Sequence, residues 1–179
     1  MAGARTLTAD IQIRLLRRSD VGRLRAAYEV NREHLAPWEP VRGDEFFTDE
    51  VQTVSVQAKL DQYAQGIQFP WVLLAGNRIV GTITLNDVVR GSFLNGHVGY
   101  WVDQEFNGRG IGSAALAFVV EIAREELGLH RLQGATLCHN FGSQKILRRT
   151  GFEEIGVAPS YLKIAGLWQD HKLYQRILY

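Results

Sequence analysis

The segment Val98–Ser113, VGYWVDQEFNGRGIGS, contains the pattern that decides the fold. Up to residue 103 the apolar residues alternate as in a β-strand, and from Gly110 onward they recur with the 3.6-residue period of a helix. The three glycines of Asn107–Ser113 let the backbone approach a ligand and turn its N–H groups inward, next to the partial positive charge of a helix start. The segment therefore predicts a strand, a turn and a helix that bind a diphosphate. The alternative interpretation is a tight strand-to-helix turn without a ligand.

Two other kinds of phosphate-binding loop do not fit the same stretch. A Walker loop ends in Gly-Lys-Ser/Thr, whereas Gly112 and Ser113 have no lysine between them. A Rossmann fingerprint requires Gly-x-Gly-x-x-Gly, whereas Gly108, Gly110 and Gly112 are evenly spaced. The stretch is therefore interpreted as neither a nucleoside-triphosphate loop nor a dinucleotide loop.

The rest of the chain alternates between strand-like and helix-like patterns. The predicted elements are strands at 11–17, helices after 19–20 and over 48–65, strands at 69–74, 79–85 and 97–102, a helix from 110, a strand at 131–137, a helix at 141–149 and two strands within 152–178. Residues 1–10 are predicted to form a flexible tail. No repeat or linker interrupts the sequence, so a single domain over residues 1–179 with a mixed α/β layered fold is expected.

Composition restricts the function classes. Hydrophobic residues make up 46% and charged residues 22%, as in ordinary folded proteins, and the net charge of +1 argues against a protein that coats nucleic acid or acidic membrane. The one cysteine, Cys138, cannot form an internal disulfide or a cysteine metal cluster. The sequence has no signal-peptide pattern and no apolar run of about 18–20 residues. We expect a cytoplasmic monomer or homodimer without metal, membrane contact or direct nucleic-acid binding.

Residues 107–112 resemble the signature turn of the GNAT superfamily of acyltransferases, Gln/Arg-x-x-Gly-x-Gly/Ala. Asn107 stands where relatives carry Gln or Arg, a change expected to affect one polar contact while the glycines remain. A second stretch, residues 140–143 (Asn-Phe-Gly-Ser) followed by Gly151-Phe152, is similar to the coenzyme A motif of that superfamily.

Three further stretches, residues 31–42, 88–93 and 161–171, are similar to the RimJ/RimL group of ribosomal-protein alanine N-acetyltransferases. The similarity is greatest to RimJ and extends over residues 11–177. It implies acetyl-coenzyme A (acetyl-CoA) as cosubstrate, no metal, and the N-terminal alanine of a ribosomal protein as acceptor.

The resemblance also implies a GNAT fold, in which a mixed, mostly antiparallel central sheet is flanked by helices and strands 97–103 and 130–138 splay apart. The pantetheine arm would lie in that gap, and backbone donors near residues 100–102 would bond the thioester carbonyl and its oxyanion. The residues that the resemblance assigns to the cofactor are Tyr100, Trp101, Val102, Asn107, Gly108, Arg109, Gly110, Ile111, Gly112, Ser113, Asn140 and Ser143.

The implied reaction is the attack of a neutral amine on a thioester. An α-amino group with a pKa of about 7.7–8.0 is partly neutral near pH 7, so a weak base or a water relay is enough. Ser143 resembles the serine proposed as the acid in the RimL branch; the alternatives are a bond to the helix start or to coenzyme A. Many relatives use a tyrosine as the acid at the position of Leu147, and the RimL glutamate base aligns with Leu162, so neither role carries over.

Glu39 is the preferred base, because fixing a carboxylate beside an aromatic surface can raise its pKa. The alternative is a solvated loop carboxylate. His97 is a rival base, as are Asp170 and His171, although a structural contact within that pair is the expected role. Trp38 is predicted to face the acceptor, while His34 and His139 are expected to be ordinary, partly exposed residues. The predicted acceptor-facing residues are Trp38, Glu39, His97, Tyr161, Asp170 and His171.

The sequence is compatible with three functions. The first is acetylation of a protein N-terminus, and the second is acetylation of a small amine such as an antibiotic. An open groove between the first helices and the last hairpin favours a peptide, and a closed pocket favours a small molecule. The third is a non-catalytic acyl-coenzyme A sensor, which would bind the cofactor without amine-dependent thiol release.

Overall fold

The computed structural model describes residues 3–179, which form eight strands and five α-helices. The elements, in chain order, are β1 (Arg5–Thr8), β2 (Ile11–Leu15), α1 (Val21–Val30), α2 (Arg32–Leu35), α3 (Asp49–Ala64), β3 (Phe69–Ala75), β4 (Arg78–Val89), β5 (Asn95–Val102), α4 (Ile111–Glu125), β6 (Arg131–Leu137), α5 (Phe141–Arg149), β7 (Glu153–Ile164) and β8 (Leu167–Ile177). None of the helices between residues 3 and 179 is long and apolar enough to cross a membrane.

One twisted sheet contains all eight strands, in the order β1-β2-β3-β4-β5-β6-β8-β7. Every neighbouring pair is antiparallel except β5 and β6, which pair in parallel only where Asn95–His97 face Arg131–Gln133. Beyond His97 the two strands diverge. Gly134 lies at this point, close to the side chains of Val98 and Leu147. The mixed, mostly antiparallel sheet with splayed strands is therefore confirmed.

Helices cover both faces of the sheet. On one face the apolar side of α4, including Leu116 and Val119, forms one core cluster with Trp71 and Leu73 of β3. On the other face α1 and α3 pack against the side chains that alternate with these, such as Val72. β3 is buried on both faces for this reason, and each fully buried leucine or isoleucine of this core stabilises the fold by about 1.5–3 kcal/mol.

The start of α3 has the side-chain cap expected from its sequence, whereas the start of α1 has none. The hydroxyl of Thr48 accepts a hydrogen bond from the backbone N–H of Val51 at 3.3 Å, as expected for the start of α3. α1 begins after residues 19–20 as predicted, but the side chain of Asp20, its N-cap residue, makes no cap bond. Its buried carboxylate instead accepts both guanidinium N–H groups of Arg14 at 2.7 Å and the backbone N–H of Arg17 at 2.8 Å. The positive charge of Arg14, itself nearly buried, helps to stabilise the buried aspartate.

The N-terminal segment differs from its prediction. The predicted tail does not extend over Arg5–Thr8, which form the edge strand β1 against β2. Arg5 also binds Glu121 of α4 at 3.0 Å and lies over the ring of Phe118. Residues 1 and 2 of the predicted tail lie outside the described residues.

Candidate functional site

A cavity of about 710 Å3 lies where β5 and β6 separate. Its walls come from α2 and the loop after it, from β5 and β6, from the glycine-rich turn before α4, from the start of α5 and from the β7–β8 hairpin. The wall residues include His34, Trp38, Glu39, Tyr100, Gly110, Gly112, Thr136, His139, Asn140, Ser143, Lys145, Arg149, Leu162 and His171.

The turn before α4 presents free backbone donors to this cavity. Gly110 has a left-handed backbone (φ 78°), no side chain caps the helix, and the first backbone hydrogen bond runs from Ala114 N to Gly110 O at 3.0 Å. Within residues 3–179 the N–H groups of Ile111, Gly112 and Ser113 therefore have no acceptor. Such a helix start attracts an anion. The free N–H groups on which the prediction of a diphosphate site depends are therefore present in the structure.

Two glycines of the turn are favoured for different reasons. A Cβ at Gly110 would touch nothing within 4 Å, so its left-handed conformation is what favours glycine there. A Cβ at Gly112 would lie 2.7 Å from Cδ1 of Ile146, so its missing side chain lets α4 begin directly against α5. Together they place the free amides beside the start of α5.

The start of α5 contributes Asn140 and Ser143. The side-chain oxygen of Asn140 accepts the backbone N–H of Ser143 at 3.0 Å, which caps the helix. The Ser143 hydroxyl lies 3.0 Å from the phenol oxygen of Tyr100, on β5 across the gap. Burial raises the pKa of Tyr100 to about 12, although its hydrogen bond to Ser143 opposes this shift. The phenol therefore stays protonated near neutral pH.

Glu39 enters the cavity from the loop after α2. Its side chain is 21% exposed, and burial raises its pKa. The guanidinium of Arg42, with Nε 3.5 Å from Oε2 of Glu39, opposes that shift. The backbone carbonyl of Glu39 accepts a hydrogen bond from Ala165 N at 3.0 Å, which ties the loop to the tip of the β7–β8 hairpin. Glu39 is thus a partly buried carboxylate in a fixed loop.

Two histidines that sequence reasoning set aside line the same cavity. The ring of His139 lies against Trp38, with ring centroids 5.6 Å apart, and Nε2 of His34 is 3.3 Å from the side-chain nitrogen of Asn107. Only weak sequence features indicated that these histidines lie at the cavity: His139 directly precedes the capping Asn140, and His34 stands four residues before Trp38.

The expected contact between Asp170 and His171 is wrong, since neighbouring residues of a strand point to opposite faces of the sheet. His171 is buried, and its Nδ1 lies 2.9 Å from the carbonyl of Gln169, to which it must donate because a carbonyl only accepts. The carboxylate of Asp170 accepts the backbone N–H of Ser160 at 2.8 Å instead. Only His171 of the pair lines the cavity.

Among residues 3–179, four of the predicted site residues lie outside the walls of the cavity: His97, Arg109, Tyr161 and Asp170. His97 is still paired with Gln133 at the closed end of the gap. The guanidinium of Arg109 binds Asp10 and lies 4.9 Å over the ring of Phe106. The ring of Tyr161 lies beside His171, with centroids 5.6 Å apart. The other predicted site residues, those assigned to the cofactor and those assigned to the acceptor, are brought together around the cavity.

Further wall residues suit an anionic, carbonyl-rich guest. The hydroxyl of Thr136 on β6 is buried and has no hydrogen-bond partner among the described residues. A buried hydroxyl without a partner is costly, so a ligand that bonds it would be favoured. Lys145 and Arg149 add two positive charges from α5. Between residues 3 and 179, no group of three or more His, Cys, Asp or Glu side chains is arranged to hold a metal ion.

Comparison with known proteins agrees with this geometry. Residues 10–153 match the family described as the acetyltransferase (GNAT) domain. The chain is 34% identical over 170 residues to the [ribosomal protein uS5]-alanine N-acetyltransferase of Escherichia coli, an alignment that covers 93% of this chain and 88% of that protein.

Two solved structures are similar over almost the whole chain. The ribosomal-protein-S5-alanine acetyltransferase of Vibrio fischeri superposes with a TM-score of 0.93 at 33% identity, covering 98% of this chain and 96% of that one. Mycobacterium smegmatis RimJ, solved in complex with CoA-disulfide, superposes with a TM-score of 0.89 at 27% identity, covering 93% and 81%.

Proposed function

Because this chain belongs to the GNAT acetyltransferase family, we propose that it transfers the acetyl group of acetyl-CoA to the N-terminal α-amino group of a ribosomal protein that begins with alanine. The observation that carries the proposal is that free backbone amides, the hydroxyl of Ser143 and the carboxylate of Glu39 all face one cavity at the β5–β6 gap. The relatives that act on ribosomal protein S5 support the choice of acceptor. We assign the activity to a single domain formed by the whole chain.

The residues present fit acetyl-CoA. Its diphosphate would bind the N–H groups of Ile111, Gly112 and Ser113, and Lys145 and Arg149 would supply further positive charge. Its pantetheine arm would lie between β5 and β6, where backbone groups of both strands are left unpaired by their divergence. The unpartnered hydroxyl of Thr136 lies in the same wall.

The transfer needs a neutral amine and a protonated leaving group. The amine nitrogen attacks the thioester carbonyl carbon, the C–S bond breaks, and the sulfur leaves with the electron pair. The nitrogen loses one proton and the sulfur gains one, so atoms and charge balance. We assign the hydrogen bond to the leaving sulfur to Ser143, and acceptance of the amine proton, directly or through water, to Glu39.

The environment of Glu39 supports its role. Burial raises its pKa toward that of an α-amino group, of about 7.7–8.0, so the two differ less in proton affinity than in water. His171 is the alternative base, since its Nε2 is free to accept a proton once Nδ1 is bound to Gln169. The two assignments predict different responses to the substitution of Glu39.

Room beyond the acyl site supports an extended acceptor. A second cavity of about 260 Å3 adjoins the first and shares Leu35 and Glu39 with it. Its walls include the rings of Tyr28, Phe46 and Phe47. A small amine would fill only the first cavity, whereas a peptide that presents its amine to Glu39 would also contact the second.

The test is a screen of peptides and small amines with acetyl-CoA, following release of the free thiol. We expect thiol release with peptides that begin with a free alanine and none with the same peptides after N-acetylation. Mass spectrometry should find one acetyl group on the N-terminal nitrogen. Faster turnover of a small amine than of every peptide would contradict the proposed acceptor, and tight CoA binding without any amine-dependent release would contradict catalysis.

A further inference from the structure

Tyr100 and Ser143 make two contacts that join β5 to α5 across the open part of the gap. The phenol oxygen of Tyr100 lies 3.0 Å from the hydroxyl oxygen of Ser143 and 3.3 Å from the carbonyl oxygen of the same residue. Both residues line the main cavity. The phenol keeps its proton near neutral pH, because burial raises its pKa to about 12.

Tyr100 and Ser143 each carry one hydroxyl proton, and these two protons can form hydrogen bonds in two ways. When the phenol donates to the Ser143 carbonyl, the serine hydroxyl donates to the phenol oxygen, and its proton is not available to a ligand. When the phenol donates to Oγ of Ser143, the serine proton is free to point at a ligand. The same heavy-atom positions serve both arrangements, so a rotation of two hydroxyl hydrogens separates them.

We propose that Tyr100 is a positioning residue for acyl transfer: by donating its proton to Oγ of Ser143, it turns the serine proton toward the sulfur of the bound thioester. This inference rests on the proposed function and adds a side-chain role to a residue whose backbone alone was expected to contact the cofactor. As the C–S bond breaks, the sulfur keeps the electron pair and takes the hydroxyl proton of Ser143. Solvent returns a proton to the serine oxygen, and Tyr100 retains its own.

A purely structural clamp between β5 and α5 would have a different signature. It would hold the walls of the cofactor site together, so its loss would weaken CoA binding as much as turnover. A residue that directs the serine proton affects only the step in which the sulfur leaves. The distinction is therefore between kcat and the dissociation constant of CoA.

The experiment is Tyr100→Phe, which keeps the ring and removes the phenol. We expect kcat to fall about tenfold, with the KM for acetyl-CoA and the calorimetric Kd of CoA within about twofold of wild type. Ser143→Ala should lower kcat further, and the double variant should be no slower than Ser143→Ala alone, because Tyr100 acts through the serine. With the selenoester analogue of acetyl-CoA, whose more acidic selenol leaves without protonation, the Tyr100→Phe defect should shrink.

The matched control is Tyr174→Phe, which removes another buried phenol, one that donates to Glu154 at 3.1 Å. It should lower Tm and leave kcat unchanged. Wild-type kcat in Tyr100→Phe, losses that multiply in the double variant, or a Kd that weakens as much as kcat falls would each overturn the inference. If the wild-type chain itself releases no thiol with any peptide, the proposed function fails as well, and that result is obtained before any variant is made.

Discussion

The side-chain oxygen of Asn140 and the backbone N–H of Ser143 are joined by a hydrogen bond of 3.0 Å, and this bond sets the first turn of α5 beside the cavity. The bond uses one of the donors that every helix start leaves free. It also fixes the position of the Ser143 hydroxyl relative to Tyr100. A single local contact thus links the folding of α5 to the geometry of the site.

Asn140→Ala should destabilise the protein by about 0.5–2 kcal/mol, the usual cost of losing an N-cap, and lower Tm accordingly. We also expect weaker CoA binding, because the first turn of α5 forms part of the cavity wall. Asn140→Ser is the matched control, since serine caps helices nearly as well as asparagine. Thermal melts and calorimetry with CoA measure both effects. Equal stability of the two variants would show that the cap contributes little here.

Gly110→Glu should abolish detectable CoA binding, because it places a carboxylate at the helix start that the diphosphate needs. Gly110→Gln has similar bulk and the same strain at a positive φ, so it separates charge from shape. We expect the glutamine variant to retain weaker but measurable CoA binding. The difference in CoA affinity between the two variants should decrease as salt is added. Unchanged CoA affinity in Gly110→Glu, measured by calorimetry, would refute the diphosphate site at this turn.

The sequence predicted those elements whose ends are set by nearby residues. The predicted bounds of β6 and α5 agree with the structure, and α5 begins after its own cap. β1 was missed because four residues at a sheet edge are ordered by pairing with β2 and by the contact of Arg5 with α4, neither of which is visible locally. The divergence of β5 and β6, which opens the gap, was implied by family resemblance rather than by periodicity, and their parallel pairing was not predicted.

The site could be predicted only where a motif carries it. The glycine-rich turn and Asn140 follow from short motifs and line the cavity. His139 was missed because its place there depends on how the loop after α2 packs, with Trp38 against its ring. The wrong contact between Asp170 and His171 came from adjacency in sequence, which in a strand places side chains on opposite faces.

Thr136→Val should weaken CoA binding about threefold to tenfold, the worth of about one hydrogen bond, while leaving Tm of the free protein unchanged or higher. The reason is that the Thr136 hydroxyl is buried without a partner among the described residues, so it costs stability unless a ligand bonds it. Thr150→Val is the matched control, because that hydroxyl already donates to the carbonyl of Ile146 at 2.9 Å. It should lower Tm and leave CoA affinity unchanged. Wild-type CoA affinity in Thr136→Val would remove this residue from the cofactor site.

Glu39→Gln should lower kcat/KM and remove the ionisation of Glu39 from the acidic limb of its pH profile, leaving only that of the acceptor's α-amino group. Burial raises the pKa of Glu39 above its ordinary value, so the carboxylate becomes an available base only as pH rises through that raised pKa.

The raised pKa of Glu39 also affects stability, and this effect decreases the free energy of unfolding as pH rises, whereas activity increases. A carboxyl whose folded pKa is raised stabilises the fold below its unfolded pKa, and that contribution is lost as pH rises through the folded pKa. At neutral pH the glutamine variant should therefore be as stable as wild type or more stable.

Arg42→Gln is the matched variant, because it removes the charge that lowers the pKa of Glu39 most and leaves the carboxylate in place. The acidic limb of kcat/KM should move to higher pH, because the pKa of Glu39 rises when the nearby positive charge is lost. Profiles recorded with one alanine peptide from about pH 5 to pH 9 cover both the carboxyl and the α-amino group. If Glu39→Gln keeps the wild-type profile, the base is not this carboxylate, and His171, whose Nδ1 is bound to Gln169, is the next residue to replace.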